Sequence, residues 1–246
     1  MTSTTLPVAG SIFGSKTIII DTAAPTVSSF TLSDSALNSG DTSTVTIVFS
    51  EAVTGFASDD DVTAPNGSLS TMTSSDNITW TGTYTPTADT EADSNVLTLA
   101  TSYTDTVGNA GPSATTANFT IDTAAPTVSS FTLSDSALNS GDTSTVTIVF
   151  SEAVTGFASD DDVTAPNGSL STMTSSDNIT WTGTYTPTAD TEADSNVLTL
   201  ATSYTDTVGN AGPSATTANF TIDTAAPTVS EQTVVSSPSN DTTPSA

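Results

Sequence analysis

The chain has no cysteine and no histidine, and its one basic residue, Lys16, stands against 27 acids. Without cysteine it can form neither a disulfide nor a thiolate metal site. Without histidine it has no imidazole base or metal ligand. A net charge of −26 disfavours nucleic acid and anionic membrane as partners and favours cations. No apolar run approaches the ~20 residues of a membrane span, so no direct membrane insertion is expected. Met1 to Lys16 lacks the basic start and long apolar core of a signal peptide, and we expect the chain to be a piece of a longer protein.

What is present is repetition. Ile20-Asp21-Thr22-Ala23-Ala24-Pro25-Thr26-Val27-Ser28 returns as Ile121 to Ser129 and as Ile222 to Ser230, at a spacing of 101 residues. The residues between copies are also repeated without change. A period near 100 residues suits one domain per repeat rather than one turn of a solenoid. The expected organisation has four parts. Residues 1–20 are a lead and the last strand, Thr17 to Ile20, of a preceding unit. Residues 21–121 and 122–222 are the two repeats. Residues 223–246 start a divergent unit or a Pro/Thr-rich linker, with Val234 to Pro244 as its first segment. Each repeat holds 12 acids and no Lys, Arg or His, so no salt bridge can form inside it.

Within a repeat the hydrophobic period is two. Thr26–Ser33 reads as a strand with Phe30 and Leu32 on one face, followed by a turn over Asp34–Asp41. Thr44–Ser50 alternates most cleanly, with Val45, Ile47 and Phe49 on one side. Short strands are expected at Val53–Ala57 and Ser68–Thr73. Ile78–Thr85 puts Ile78, Trp80, Gly82 and Tyr84 on one face and Thr79, Thr81, Thr83 and Thr85 on the other. Pro86–Ser94 reads as an acidic loop, Asn95–Thr101 as a strand and Tyr103–Pro112 as a loop. Thr115–Ile121 closes the repeat, with Ala117, Phe119 and Ile121 inward. About seven short strands, no helix and turn signals every 8–12 residues predict an all-β fold: tandem antiparallel sandwiches of immunoglobulin type. Trp80 is the expected core aromatic.

The acids point to calcium (Ca2+), which takes six to eight oxygens in flexible geometry. No EF-hand loop occurs, so a site must be assembled from separate loops. In a seven-strand sandwich the N-terminal pole carries Glu51, Asp76 and the Asp105–Asn109 loop, with Asp21 on the linker beside them. The predicted cage is Asp21, Glu51, Asp105 and Asn109, with backbone carbonyls and water. Its copy is Asp122, Glu152, Asp206 and Asn210, and Asp223 opens a third. The C-terminal pole carries Asp34, Asp41, Asp89, Glu91 and Asp93, facing Asp122 from the other side. The runs Asp59–Asp61 and Asp160–Asp162 are weaker candidates. Neighbours on an extended chain point to opposite faces, so at most Asp59 with Asp61, or Asp160 with Asp162, could share an ion. Each acid alone also suits a plainer role: Asp21 and Asp122 as turn caps before proline, Asp105 and Asn109 as turn residues around Gly108, Glu51 as a solvated strand end.

Two other classes of function can be weighed. A carboxylate pair can hydrolyse glycosides, but such enzymes need a shaped cleft, and no enzyme is expected here. A carbohydrate- or ice-binding module could use the outward Thr79, Thr81, Thr83 and Thr85, although threonine also follows from β-propensity on a solvated face. Sugar stacking would need a surface aromatic, and Tyr103 is the candidate.

The runs FTLSDSALNSGDTSTVTIVFSEAVTGF, NITWTGTYTPTAD and TDTVGNAG, with the closing strand, cover nearly all of residues 20–222. They resemble the bacterial Ig-like repeats of giant biofilm-associated and RTX-type adhesins. That resemblance implies an extender region on the surface of a Gram-negative cell, built as a monomeric rod whose partners are neighbouring repeats of the same chain. It also implies an extracellular location, a distal adhesive module held away from the cell, and calcium near the domain junctions. The nonapeptide repeats usual in such adhesins are not in this sequence.

Overall fold

The alternation of Ser43–Phe49 is reproduced side chain by side chain. Val45, Ile47 and Phe49 are fully buried, and Thr44 is exposed. The computed structural model describes residues 2–4 and 18–232. Thr17 and the Val234 to Pro244 segment lie outside these residues. Ile18–Ile20 forms the expected strand and pairs antiparallel with Thr2–Thr4, a partner not expected from the lead.

The chain divides into two compact units. The first takes Met1–Val128 together with Phe150–Phe157 and Thr202–Pro213; the second takes Ser129–Val149, Ala158–Ala201 and Ser214–Ala246. The division does not follow the repeat period. The loops carrying Glu152 and Asp206 belong to the first unit.

In the first unit one sheet runs in the order Val27–Leu32, Ser43–Phe49, Thr79–Pro86, Gly67–Leu69, all antiparallel. Phe119–Asp122 is the centre of a second sheet. It pairs antiparallel with Glu91–Asn95 and parallel with Ala36–Leu37. Thr98–Leu99 pairs on either side with Val62–Thr63 and Ala114–Thr115. Thr104–Asp105 pairs with Val53–Thr54. The second unit keeps the same register, from Ser144 opposite Tyr185 to Val149 opposite Thr180.

Several expectations are corrected. Ala36–Leu37 is a strand inside the expected turn, because Leu37 is buried against the closing strand. Glu91–Asn95 is a strand inside the expected acidic loop, held by Asn95, which is buried and donates to the Ala92 and Phe119 carbonyls. Ala117 is exposed rather than inward, because the closing stretch is broken into Ala114–Thr115 and Phe119–Asp122. Helix was not expected, yet Ser58–Asp61 forms one helical turn, and so does Ser159–Asp162. Trp80 lies on the inward face but is only partly buried; its ring meets Phe56 edge-on at 4.8 Å.

Tyr84 and Tyr103 are the large aromatics of the core. Tyr103, expected on a loop surface, is fully buried, with its ring 4.9 Å from Phe49. Its hydroxyl donates to the Pro112 carbonyl at 2.7 Å, and the Tyr84 hydroxyl donates to the Pro65 carbonyl at 2.7 Å. A buried phenol needs such a partner. Burial pushes both hydroxyls up to about 12. Each fully buried apolar side chain contributes roughly 1.5–3 kcal/mol relative to exposure.

Candidate metal centre

Three separate chain segments bring the acids together. Asp21 follows the Ile18–Ile20 strand, Glu51 follows Ser43–Phe49, and Asp105 ends Thr104–Asp105. One oxygen from each of Asp21, Glu51 and Asp105 lies within 4.8 Å of the others. Asp122, Glu152 and Asp206 repeat this grouping, and all three belong to the first compact unit.

Asp105 is held by its own loop. Its Oδ1 accepts the backbone N–H groups of Val107, Gly108 and Asn109 at 2.9, 2.7 and 2.9 Å. The turn needs Gly108, whose φ is +103°. Asp206 is held in the same way by Val208, Gly209 and Asn210. Burial works to raise the Asp105 pKa, but the Asn109 amide and these N–H groups outweigh it and hold the carboxyl below its ordinary value.

The partners behave differently. Burial comes first in raising the Asp122 pKa, followed by the charge of Asp206; Glu91 and Asp93 add to it, while the Ala124 N–H opposes it. Glu152 is also raised, by burial and then by Asp206, Asp122 and Glu91. Two carboxylates at this separation repel by about 3 kcal/mol at an effective dielectric of about 20, and by less where water screens them. No basic residue in either repeat can relieve that.

The geometry fits a hard cation. Oxygens around calcium at 2.3–2.6 Å lie at most about 5 Å apart, and the carboxylate oxygens here fall within 4.8 Å of one another. The donor set is oxygen only, which suits calcium or magnesium and not a metal that prefers imidazole or thiolate.

Asn109 and Asn210 stand at the rim in a role other than the expected one. The Asn210 amide nitrogen donates to the Asp206 carboxylate at 2.7 Å, and to the Asp122 and Ala124 carbonyls at 2.9 and 3.0 Å. Its oxygen accepts the Ser39 N–H at 2.7 Å. The side chain thus presents a donor to the carboxylates and braces them; it does not offer them a ligand oxygen. Asn109 makes the same donor contacts to Asp105, Asp21 and Ala23.

The remaining expected residues are not brought into a cluster of three acids among the described residues. Asp59 and Asp61 lie on a helical turn, not on extended chain. Asp61 is buried and accepts from the Ala57 N–H at 2.8 Å and from the Ser102 hydroxyl, which makes it a structural brace. Asp162 accepts the Ala158 N–H at 2.7 Å, and Asp160 sits beside Ser159 on the matching turn. Asp223 is exposed at the end of Phe220–Asp223, opposite Glu192. Asp76 accepts the Ile78 and Thr79 N–H groups and closes its own turn.

Glu91, expected only as a C-terminal-pole acid, acts by its charge on both Asp122 and Glu152. The signal for it was faint. In Glu91-Ala92-Asp93-Ser94-Asn95, only a half-buried Ala92 and a buried Asn95 mark a strand.

The outward threonines Thr79, Thr81, Thr83 and Thr85 are exposed as expected. Tyr103 is not available for stacking, and no aromatic is among the exposed large hydrophobic side chains of the described residues.

Sequence comparison identifies the class. A bacterial Ig-like domain family matches residues 21–121 and again residues 122–222. The chain belongs to that family, as two tandem copies. Comparison with curated proteins finds no match. Among solved structures, an I-band fragment of titin is 12% identical, with 83% of this chain and 66% of that chain covered and a TM-score of 0.45. The Escherichia coli adhesin FdeC is 17% identical, covering 80% and 63%, with a TM-score of 0.34. InvD of Yersinia pseudotuberculosis is 20% identical, covering 85% and 60%, with a TM-score of 0.29. The chain thus spans no more than 66% of the length of these three. The family match, not these neighbours, carries the assignment. No described helix is long and apolar enough to cross a membrane.

Proposed function

We propose that the two repeats are part of the extender of an extracellular, cell-surface adhesin, of the biofilm-associated and RTX-type kind that the sequence resembles. They space a distal adhesive module from the cell. Calcium stiffens the array by binding at Asp122, Glu152 and Asp206, and at Asp21, Glu51 and Asp105. The observation that carries this reading is the grouping of three carboxylate oxygens within 4.8 Å in a repeat that contains no basic residue. A divalent cation relieves the repulsion that the protein cannot relieve internally. Extracellular modules bind calcium at about 10⁻⁴–10⁻³ M. At a hundredfold excess over Kd, one ion stabilises the bound state by about 2.7 kcal/mol.

Small-angle scattering of the two-repeat protein, titrated with calcium and then with chelator, tests this. A longer and stiffer particle in calcium, lost in Asp122→Ala, supports the clamp. A profile indifferent to calcium overturns it and leaves the acids as a solubilising surface. The ligand-binding alternative gains no support from the threonine rows alone, since the aromatic it needed is buried.

A further inference from the structure

The identical sequences of the two repeats make each loop a control for its copy. Asn210 is 2% exposed, whereas Asn109 is only half-buried. Val208 is 44% exposed, whereas Val107 is 62% exposed. The local sequence cannot cause these differences. The cause is the Asn38–Ser39 turn, which packs on the second loop within the first compact unit. The Asn38 amide nitrogen donates to the Val208 carbonyl at 2.7 Å, and the Ser39 N–H donates to the Asn210 side-chain oxygen at 2.7 Å. Gly209 supplies the loop's positive φ of +106°, and it lies against the turn: a Cβ there would be in ordinary contact, 3.4 Å from the Asn38 amide nitrogen.

Both hydrogen bonds join uncharged groups, so neither needs a cation. Both leave the repeat sequence unchanged, so each repeat carries the donor turn at one pole and the acceptor loop at the other. The donor turn of the second repeat, Asn139–Ser140, is exposed. We propose that the Asn38–Ser39 turn and the Val208–Asn210 loop form a cation-independent latch, and that the surfaces at Asn139–Ser140 and Val107–Asn109 dock further copies of the same repeat. The partner is defined by chemistry: a backbone carbonyl and a side-chain amide oxygen on an Asp-x-x-Gly-Asn loop, offered to an Asn side chain and a turn N–H. The amide nitrogen faces the aspartate at 2.7 Å in both repeats, so the latch does not set that orientation; it adds a partner, the Ser39 N–H, for the Asn210 oxygen.

The absence of cysteine allows clean spin labelling at two exposed positions, Thr81→Cys and Thr182→Cys. Pulsed dipolar distances are measured in chelator for the otherwise native protein, for Asn38→Ala and for Asn139→Ala. Loss of one neutral hydrogen bond raises the undocked population by about two- to tenfold. Asn38→Ala should therefore broaden the distance distribution, while Asn139→Ala, chemically the same change, leaves it narrow. A general loss of folding would appear in both variants. Equal distributions for the two variants, or a native distribution already broad in chelator, overturn the latch. Adding calcium separates this result from the clamp: a failed clamp leaves every distribution insensitive to calcium, whatever Asn38→Ala does.

Discussion

Glu91 lies directly opposite Asp122 in the antiparallel pairing of Glu91–Asn95 with Phe119–Asp122. Two like charges face each other where a sheet normally places a neutral or opposite pair. Asp122 also feels Asp206, and Glu152 feels Asp206, Asp122 and Glu91. One side of this carboxylate group is therefore supplied by a strand that the sequence disguised as a loop.

Glu91→Gln should raise stability in chelator by about 0.2–1 kcal/mol, the range for a cross-strand charge pair. Glu91 is exposed, so salt should shrink the gain. Thermal melts at two salt concentrations measure it. A lower melting point in chelator would show that the Glu91 charge does not oppose folding.

The pH dependence in chelator should reverse sign once. Asp122 and Glu152 have folded pKa values raised above 3.8 and 4.5. Their contribution is complete below those ordinary values and is lost as pH rises through the raised ones. Asp105, Asp76 and Asp177 are lowered below 3.8. Theirs is present above 3.8 and is lost as pH falls through the lowered values. Stability should thus rise as pH drops from neutrality toward the carboxylate range, then fall again below it. Asp122→Asn with Glu152→Gln should remove the rise and keep the fall. Melting points across pH in chelator decide; a steady decline from neutrality in the native protein contradicts the raised pair.

Tyr103 and Gly111 are packed without slack. A Cβ on Gly111 would run into the Tyr103 ring. Gly111→Ala should cost about 1–3 kcal/mol by overpacking. Tyr103→Phe removes only the hydroxyl bond to Pro112 and should cost about 0.5–1.5 kcal/mol. Urea unfolding ranks the two, and a neutral Gly111→Ala would mean the ring can move aside.

Truncating the core aromatics should reverse the order expected from size. Tyr84 is fully buried and its ring is 5.4 Å from Phe119. Trp80 is only partly buried at the rim beside Phe56. Tyr84→Ala should cost about 3–5 kcal/mol, and Trp80→Ala clearly less. Equilibrium unfolding of both variants tests the order; a larger loss for Trp80→Ala would place the centre of the core elsewhere.

The sequence by itself determined the repeat, the all-β class and which face of Ser43–Phe49 and Thr79–Pro86 turns inward. These follow from local facts: a 101-residue identity and a period-two alternation that any sheet must obey. It also indicated which acids share a pole, because strand order in a sandwich assigns loops to ends. The tertiary structure decided what depends on distant partners. Glu91–Asn95 is a strand because Phe119–Asp122 lies beside it, and Ala36–Leu37 is one because the same strand offers its other edge. Tyr103 is buried because its ring packs on Phe49 and Phe56, about 50 residues earlier in the chain, while the Pro112 carbonyl satisfies its hydroxyl. Asn210 is buried, while the identical Asn109 is only half-buried, because Ser39, 171 residues away in sequence, donates to its side-chain oxygen. Alternation records which side of a strand meets the core; it carries no record of which remote group completes a hydrogen bond.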